Sequence, residues 1–151
     1  MNGIIGEMLT LLEGEAKGYS IAMRMELFAQ RPNIMADRVQ LQQVLMNLML
    51  NSIEAMKETG GVLTVKTGRG EGGQVLISIS DTGVGLPAGR ADEIFDAFFT
   101  TKLQGSGMGL AISRSIVESH GGRLWATSND ERGATFHFTL PTAAVEVSAT
   151  I

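Results

Sequence analysis

Two amides inside an apolar, helix-forming stretch call for a chemical reason. The run "NLMLNSIEA" carries Asn47 and Asn51 among Leu45, Leu48, Met49, Leu50 and Ile53, although Asn is a poor helix former. On a helix, Gln40, Gln43, Asn47, Asn51, Glu54 and Glu58 recur at steps of three or four residues and make one polar stripe. Such a stripe faces water or a ligand. Water accounts well for Gln40, Gln43 and Glu58. It accounts less well for two short amides one turn apart, which hold oxygen donors close to the backbone. Mg2+ accepts neutral oxygens of this kind beside phosphate oxygens and water.

Two glycine-rich segments carry further chemistry. In "ISISDTGVGLP" a strand ends in Asp81 and runs straight into Gly83 and Gly85. Ala88 keeps a dinucleotide fingerprint formally open, but Pro87 and Gly89 interrupt it, and the motif follows an antiparallel hairpin instead of opening a βαβ unit. In "TTKLQGSGMGLAISRSIVESHGG", Gly105, Gly107 and Gly109 precede a helix that begins near Leu110. Glycines there let backbone approach closely, and the free N–H groups of a helix N-terminus attract phosphate, with Lys102 as a movable positive charge. A flexible linker reads equally well from this segment alone. It is not a Walker P-loop, because no G-x-x-x-x-G-K-[ST] pattern occurs.

The elements that must position these residues are legible from periodicity. "IIGEMLTLLEGEA" (4–16) spaces Ile5, Met8, Leu9 and Leu12 as an amphipathic helix, "YSIAMRMEL" alternates as a strand, and "RPNIMAD" is a short extended piece. Asp37 as N-cap with Gln40 three positions on opens the longest helix, about 37–58. "VLTVKTG" (62–68) and "QVLISISD" (74–81) flank the turn "RGEGG" as an antiparallel hairpin. Residues 82–109 exceed an ordinary connection and read as a functional lid. "LAISRSIVESH" is helical, "GGRLWATSN" and "GATFHFTLP" form a second hairpin, and the residues after Pro141 form a loose terminus. Helices and hairpins alternating in blocks predict an α+β two-layer sandwich: a mixed, mostly antiparallel sheet with helices on one face.

Composition bounds the function classes. The 151 residues, 44% hydrophobic and 19% charged, suit one soluble domain. The net charge of −4 and scattered Lys and Arg give no nucleic-acid footprint. The absence of cysteine excludes disulfides, thiolate metal sites and Cys nucleophiles, and a cytoplasmic location is expected. No run reaches the roughly 18 apolar residues of a membrane helix, and the N-terminus lacks a signal-peptide pattern.

In chain order, Asn47 and Asn51, Asp81-x-Gly83-x-Gly85, "IFDAFFTTK", Gly105-x-Gly107-x-Gly109 and "GATF" resemble the catalytic ATP-binding domain of sensor histidine kinases. That domain belongs to the Bergerat-fold group, with gyrase-type ATPases, Hsp90 chaperones and MutL repair proteins. The resemblance covers about residues 19–140, and "NSIEAM" is similar to the nitrogen- and oxygen-sensing subclass. It implies ATP and Mg2+ as cofactors, Asn51 as the metal ligand and Asn47 beside the phosphates. Asp81 would accept from the adenine amino group, since a carboxylate only accepts. Gly83 and Gly85 would lie close to the purine. Gly105, Gly107, Gly109 and Leu110 would cradle phosphates with Lys102, and Thr135 would stand near the adenine pocket. Phe98 and Phe99 would anchor the lid.

Gyrase-like relatives carry a carboxylate general base one turn before the metal Asn. Asn47 stands there in this chain, and an amide cannot take that proton. Transfer to a protein acceptor is therefore expected, with Asn47 and Lys102 in the catalytic set. Many of these kinases carry a basic residue where this chain has Glu54. His120, at a helix end, and His137, in a strand, read as structural, as do Trp125 and Tyr19. The phosphoacceptor histidine is thus expected on a separate dimerisation domain, with residues 1–18 as its helical remnant or linker and 141–151 as a flexible tail. A response regulator is the expected downstream partner, with no nucleic acid and no direct membrane contact. Two alternatives stay open: an ATP-dependent conformational switch, and a protein-serine kinase of the anti-sigma-factor type.

Overall fold

Period-two alternation gives the sheet its two faces. The computed structural model describes residues 2–27, 34, 36–85, 93–95 and 109–142. Leu63 and Val65 of β2 (Gly61–Arg69) and Val75, Ile77 and Ile79 of β3 (Val75–Ser80) point into one core with Phe136, Phe138 and Leu140 of β5 (Ala134–Leu140). Leu124 of β4 (Leu124–Ser128) and Ile21 of β1 (Ile21–Glu26) extend that core to the sheet edges. The strand order is β1-β2-β3-β5-β4, with β1 parallel to β2 and every other pair antiparallel. Helices α1 (Asn2–Gly18), α2 (Arg38–Ala55) and α3 (Gly109–Ser119) cover the core face. The result is the expected α+β sandwich with a mixed, mostly antiparallel sheet.

Helix α1 buries Ile4, Ile5, Met8, Leu9, Leu12 and Ala16 in the same core as residues 19–140. Its Glu7 carboxylate takes Arg38 Nη2 at 2.9 Å through both oxygens, an exposed pair that adds little stability. Among the described residues no helix is long and apolar enough to cross a membrane. The residues after Thr142 and most of "RPNIMAD" lie outside the described set, although Ile34 bridges Thr142.

Helix α2 is secured at both ends. Asp37 caps it, its Oδ1 accepting the Gln40 N–H at 2.9 Å. His120, at the end of α3, accepts the Asp37 N–H on Nε2 at 3.1 Å, while its Nδ1 lies 2.8 Å from the Ile116 carbonyl. A carbonyl only accepts, so Nδ1 donates to Ile116 while Nε2 takes the Asp37 N–H. His120 thus caps its own helix, as expected, and also ties it to α2. The helix stops at Ala55, short of 58, because the Ala55 carbonyl accepts the Val84 N–H at 3.2 Å instead of continuing the helical ladder.

The opposite sheet face holds the other histidine. His137 lies 3.1 Å from Ser78 Oγ and 2.8 Å from Thr127 Oγ1, and stacks on Trp125 with centroids 5.1 Å apart. Burial lowers its pKa and so favours the neutral ring. Tyr19 takes Lys57 Nζ over its ring at 5.5 Å. Removing the α2 cap by Asp37→Ala should cost about 1 kcal/mol, read as a lower urea midpoint with unchanged slope. Asp37→Asn should keep most of that stability, and equal losses in both variants would contradict the capping role.

Candidate functional site

Strand β3 delivers Asp81 to the end of the sheet, where the residue is only 2% exposed. Its Oδ1 accepts the N–H groups of Gly83 at 2.9 Å and Ala134 at 3.2 Å. Its own N–H donates to the Ala134 carbonyl at 2.9 Å, and Asn129 Nδ2 donates to its carbonyl at 2.8 Å. Burial pushes the carboxyl above its usual range, and the two backbone donors, then the Ser52 hydroxyl, offset part of that rise. Ser52 Oγ on α2 is fully buried and close enough to act on the carboxylate, yet no hydrogen bond of standard geometry satisfies it. Ser52 therefore faces the carboxylate from α2, and Oδ1 alone takes the hydrogen bonds of standard geometry among the described residues.

The glycines around Asp81 have steric causes. A Cβ on Gly83 would fall on the Ala55 carbonyl, so only glycine lets this loop lie on the end of α2. Gly133 has φ +90°, and a Cβ there would fall on the Asp81 carbonyl. Gly85, also in the left-handed region at φ +83°, continues the same loop. Arg132 Nε holds the Gly83 carbonyl at 3.2 Å.

The other end of the site is made by α2 and α3. Asn47 Nδ2 donates to the Gly109 carbonyl at 3.3 Å and to Ser113 Oγ at 3.1 Å, joining α2 to the first turn of α3. Asn51, half-buried, makes no side-chain hydrogen bond among the described residues. It lies one turn from Asn47, a rise of about 6 Å, and next to Ser52, so α2 carries the amides and the floor under Asp81 on one rod. Leu110 packs against the core. Among the described residues no group of three or more His, Cys, Asp or Glu could hold a metal. A cation here would draw on amide, phosphate and water oxygens, which suits Mg2+.

The structure therefore brings Asp81, Gly83 and Gly85 together at one end, and Asn47 and Gly109 at the other, with Asn51 between. Lys102, Gly105, Gly107, Phe98 and Phe99 lie outside the described residues. The Thr135 hydroxyl does not reach Asp81: it lies 2.6 Å from Asn129 Oδ1 and 3.0 Å from Ser80 Oγ, and the preceding Ala134 meets the carboxylate through its N–H. Glu54 forms an ion pair with Lys57 at 2.9 Å. The sequence reading did not single out Ser52, Ser113, Asn129, Arg132 or Gly133 as site residues, although all but Arg132 lie within runs it quoted. In "IFDAFFTTK", Ile94 and Phe95 are the buried anchors seen here, with Phe95 edge-on to Phe136 at 6.2 Å and under Arg114 at 5.2 Å.

Residues 36–144 match the family described as histidine kinase-, DNA gyrase B-, and HSP90-like ATPase. The chain is 45% identical over 129 residues to sensor protein FixL of Bradyrhizobium diazoefficiens, a match covering 85% of this chain and 26% of FixL. It thus spans about a quarter of that relative's length. Among solved structures, the nucleotide-free catalytic domain of histidine kinase ThkA superposes with a TM-score of 0.83 at 34% identity, covering 93% of each chain. ThkA in complex with the response regulator protein TrrA gives a TM-score of 0.81 at 31% identity, covering 97% of this chain and 41% of that one.

The raised carboxyl has a signed consequence for stability. A folded-state pKa above the unfolded value means that ionising Asp81 costs more in the folded protein. The penalty accrues as pH rises from the unfolded value through the raised one, and is complete above it. Asp81→Asn keeps an oxygen for the Gly83 and Ala134 N–H groups and removes the charge. Its melting temperature relative to the parent should therefore improve as pH rises through that window. A gap that moves against the variant over the same range would contradict the assignment.

Proposed function

Because the chain belongs to the histidine kinase-, DNA gyrase B- and HSP90-like ATPase family, within its sensor histidine kinase branch, we propose that it binds Mg·ATP and transfers the γ-phosphoryl group to a histidine on a separate dimerisation domain. One observation carries the choice of kinase over ATPase. At the position where gyrase-like relatives place a general base there is Asn47, an amide whose N–H groups are both committed to α3. It cannot accept a proton from water. Phosphoryl transfer requires positioning and charge neutralisation more than covalent chemistry by the enzyme, and amides, backbone N–H groups and a cation supply both.

In this reading, Asp81 Oδ2 accepts from the exocyclic amine of adenine over the floor made by Ser52 and Gly83. Asn51 offers a neutral oxygen to Mg2+, which supplies charge neutralisation on the triphosphate when bound. Lys102 and the glycines at 105, 107 and 109 serve the phosphates. A response regulator takes the phosphoryl group onward, a partner supported by the ThkA–TrrA complex.

Mixing the chain with labelled ATP, Mg2+ and the dimerisation domain of its own full-length protein should place an acid-labile label on that domain. Tight ATP binding with no label would instead favour an ATP-dependent switch. Asp81→Asn turns the adenine contact into two opposed donors, a cost of about 1–3 kcal/mol, so ATP affinity should fall roughly tenfold or more. Unchanged affinity would contradict the adenine assignment. Asn51→Ala should mainly erase the gain in ATP affinity that Mg2+ confers on the parent.

A further inference from the structure

Ser113 occupies an unexpected place. On α3 it is one helical turn from Val117, both residues face the core, and the serine is fully buried. An aliphatic residue would pack that position without a polar group to satisfy, and serine does not favour a helix interior. A buried hydroxyl needs a partner, and its partner is Asn47 Nδ2 at 3.1 Å. The second N–H of the same amide goes to the Gly109 carbonyl at 3.3 Å.

The orientation of that amide is fixed by chemistry. The Gly109 carbonyl can only accept, so the NH2 group of Asn47 must face α3 and its Oδ1 must face away. A flipped amide would set oxygen against oxygen. With both N–H groups consumed, Asn47 has only a carbonyl oxygen left to present. That oxygen repels phosphate oxygens and suits a divalent cation or a water bound to one.

We infer that Ser113 is a positioning residue, acting through Asn47 to turn the amide oxygen toward the cation of Mg·ATP and its NH2 group away from the phosphates. This rests on the ATP-site reading above and changes what Asn47 does within it: the residue meets the metal or its water shell, not the phosphates directly. Without Ser113 the amide keeps one longer bond and gains freedom to rotate.

The test measures ATP affinity of the 151-residue chain in EDTA and across a Mg2+ titration. Removing a partner that orients a metal ligand typically costs 10–100-fold in metal affinity. Ser113→Ala should therefore raise half-saturating Mg2+ about tenfold and leave ATP affinity in EDTA unchanged. Ser113→Cys, nearly the same size but a weak acceptor, should fall between the two. In an Asn47→Ala background, Ser113→Ala should add nothing to the Mg2+ requirement, since the two residues act as one unit. An unmoved Mg2+ requirement, the same rise in the Asn47→Ala background, or a loss of affinity equal with and without Mg2+ would overturn the inference alone. A parent chain that binds no Mg·ATP would overturn the site reading itself and the inference with it.

Discussion

The site depends on burying one carboxylate. Asp81 brings a charge to the end of β3 at a place that is almost closed to water, and an isolated buried charge is costly. Two backbone donors, from Gly83 and Ala134, make it tolerable. Those two bonds set the path of the chain on either side. Gly83 lies against the last carbonyl of α2, and Gly133 turns under the main chain of Asp81. Three elements distant in sequence meet there because each gives a backbone group to the same junction, and the carboxylate keeps one oxygen uncommitted.

Helix α2 converts that junction into a site with two ends. Its C-terminal turn forms the floor beneath Asp81. Its middle carries Asn51 and then Asn47, and Asn47 holds the start of α3. Its N-terminus is fixed by Asp37 and by His120 from the far end of α3. The two helices are therefore joined at both ends of α3 by side chains whose donors and acceptors leave one workable arrangement. A shift of α3 along α2 would break both ties, so the spacing between the Asp81 end and the Asn47 end is held by hydrogen bonding as well as by packing.

Much of this was legible in the residues. Asp81, Gly83 and Gly85 announce themselves because a strand that ends in a carboxylate and glycines is unusual. Asn47 and Asn51 stand out because ordinary packing would not choose them. The fold class followed from periodicity, which reports what each element buries. What could not be read is the pairing of residues far apart in sequence. Nothing local links Asn47 to Ser113 or Asp37 to His120, and a buried serine on an amphipathic helix looks like any small residue. Periodicity marked 4–16 as a helix but not the core into which it packs. Gly83 was expected near a purine from its motif, and its steric cause, the Ala55 carbonyl, could be seen only in the structure. Thr135 was placed near the adenine pocket by motif alone; its hydroxyl bonds with Ser80 and Asn129, while the neighbouring Ala134 N–H meets Asp81, and neither pairing could be read from local sequence.

One nucleotide is expected to bridge the Asp81 junction and the amides of α2. A crystal structure of the chain with Mg2+ and a non-hydrolysable ATP analogue measures this directly. The exocyclic amine should lie within hydrogen-bonding distance of Asp81 Oδ2, with the cation at the amide oxygens of α2. An analogue bound with its base away from Asp81, or a cation held with no amide oxygen of Asn47 or Asn51 in its ligand or water shell, would contradict that bridging.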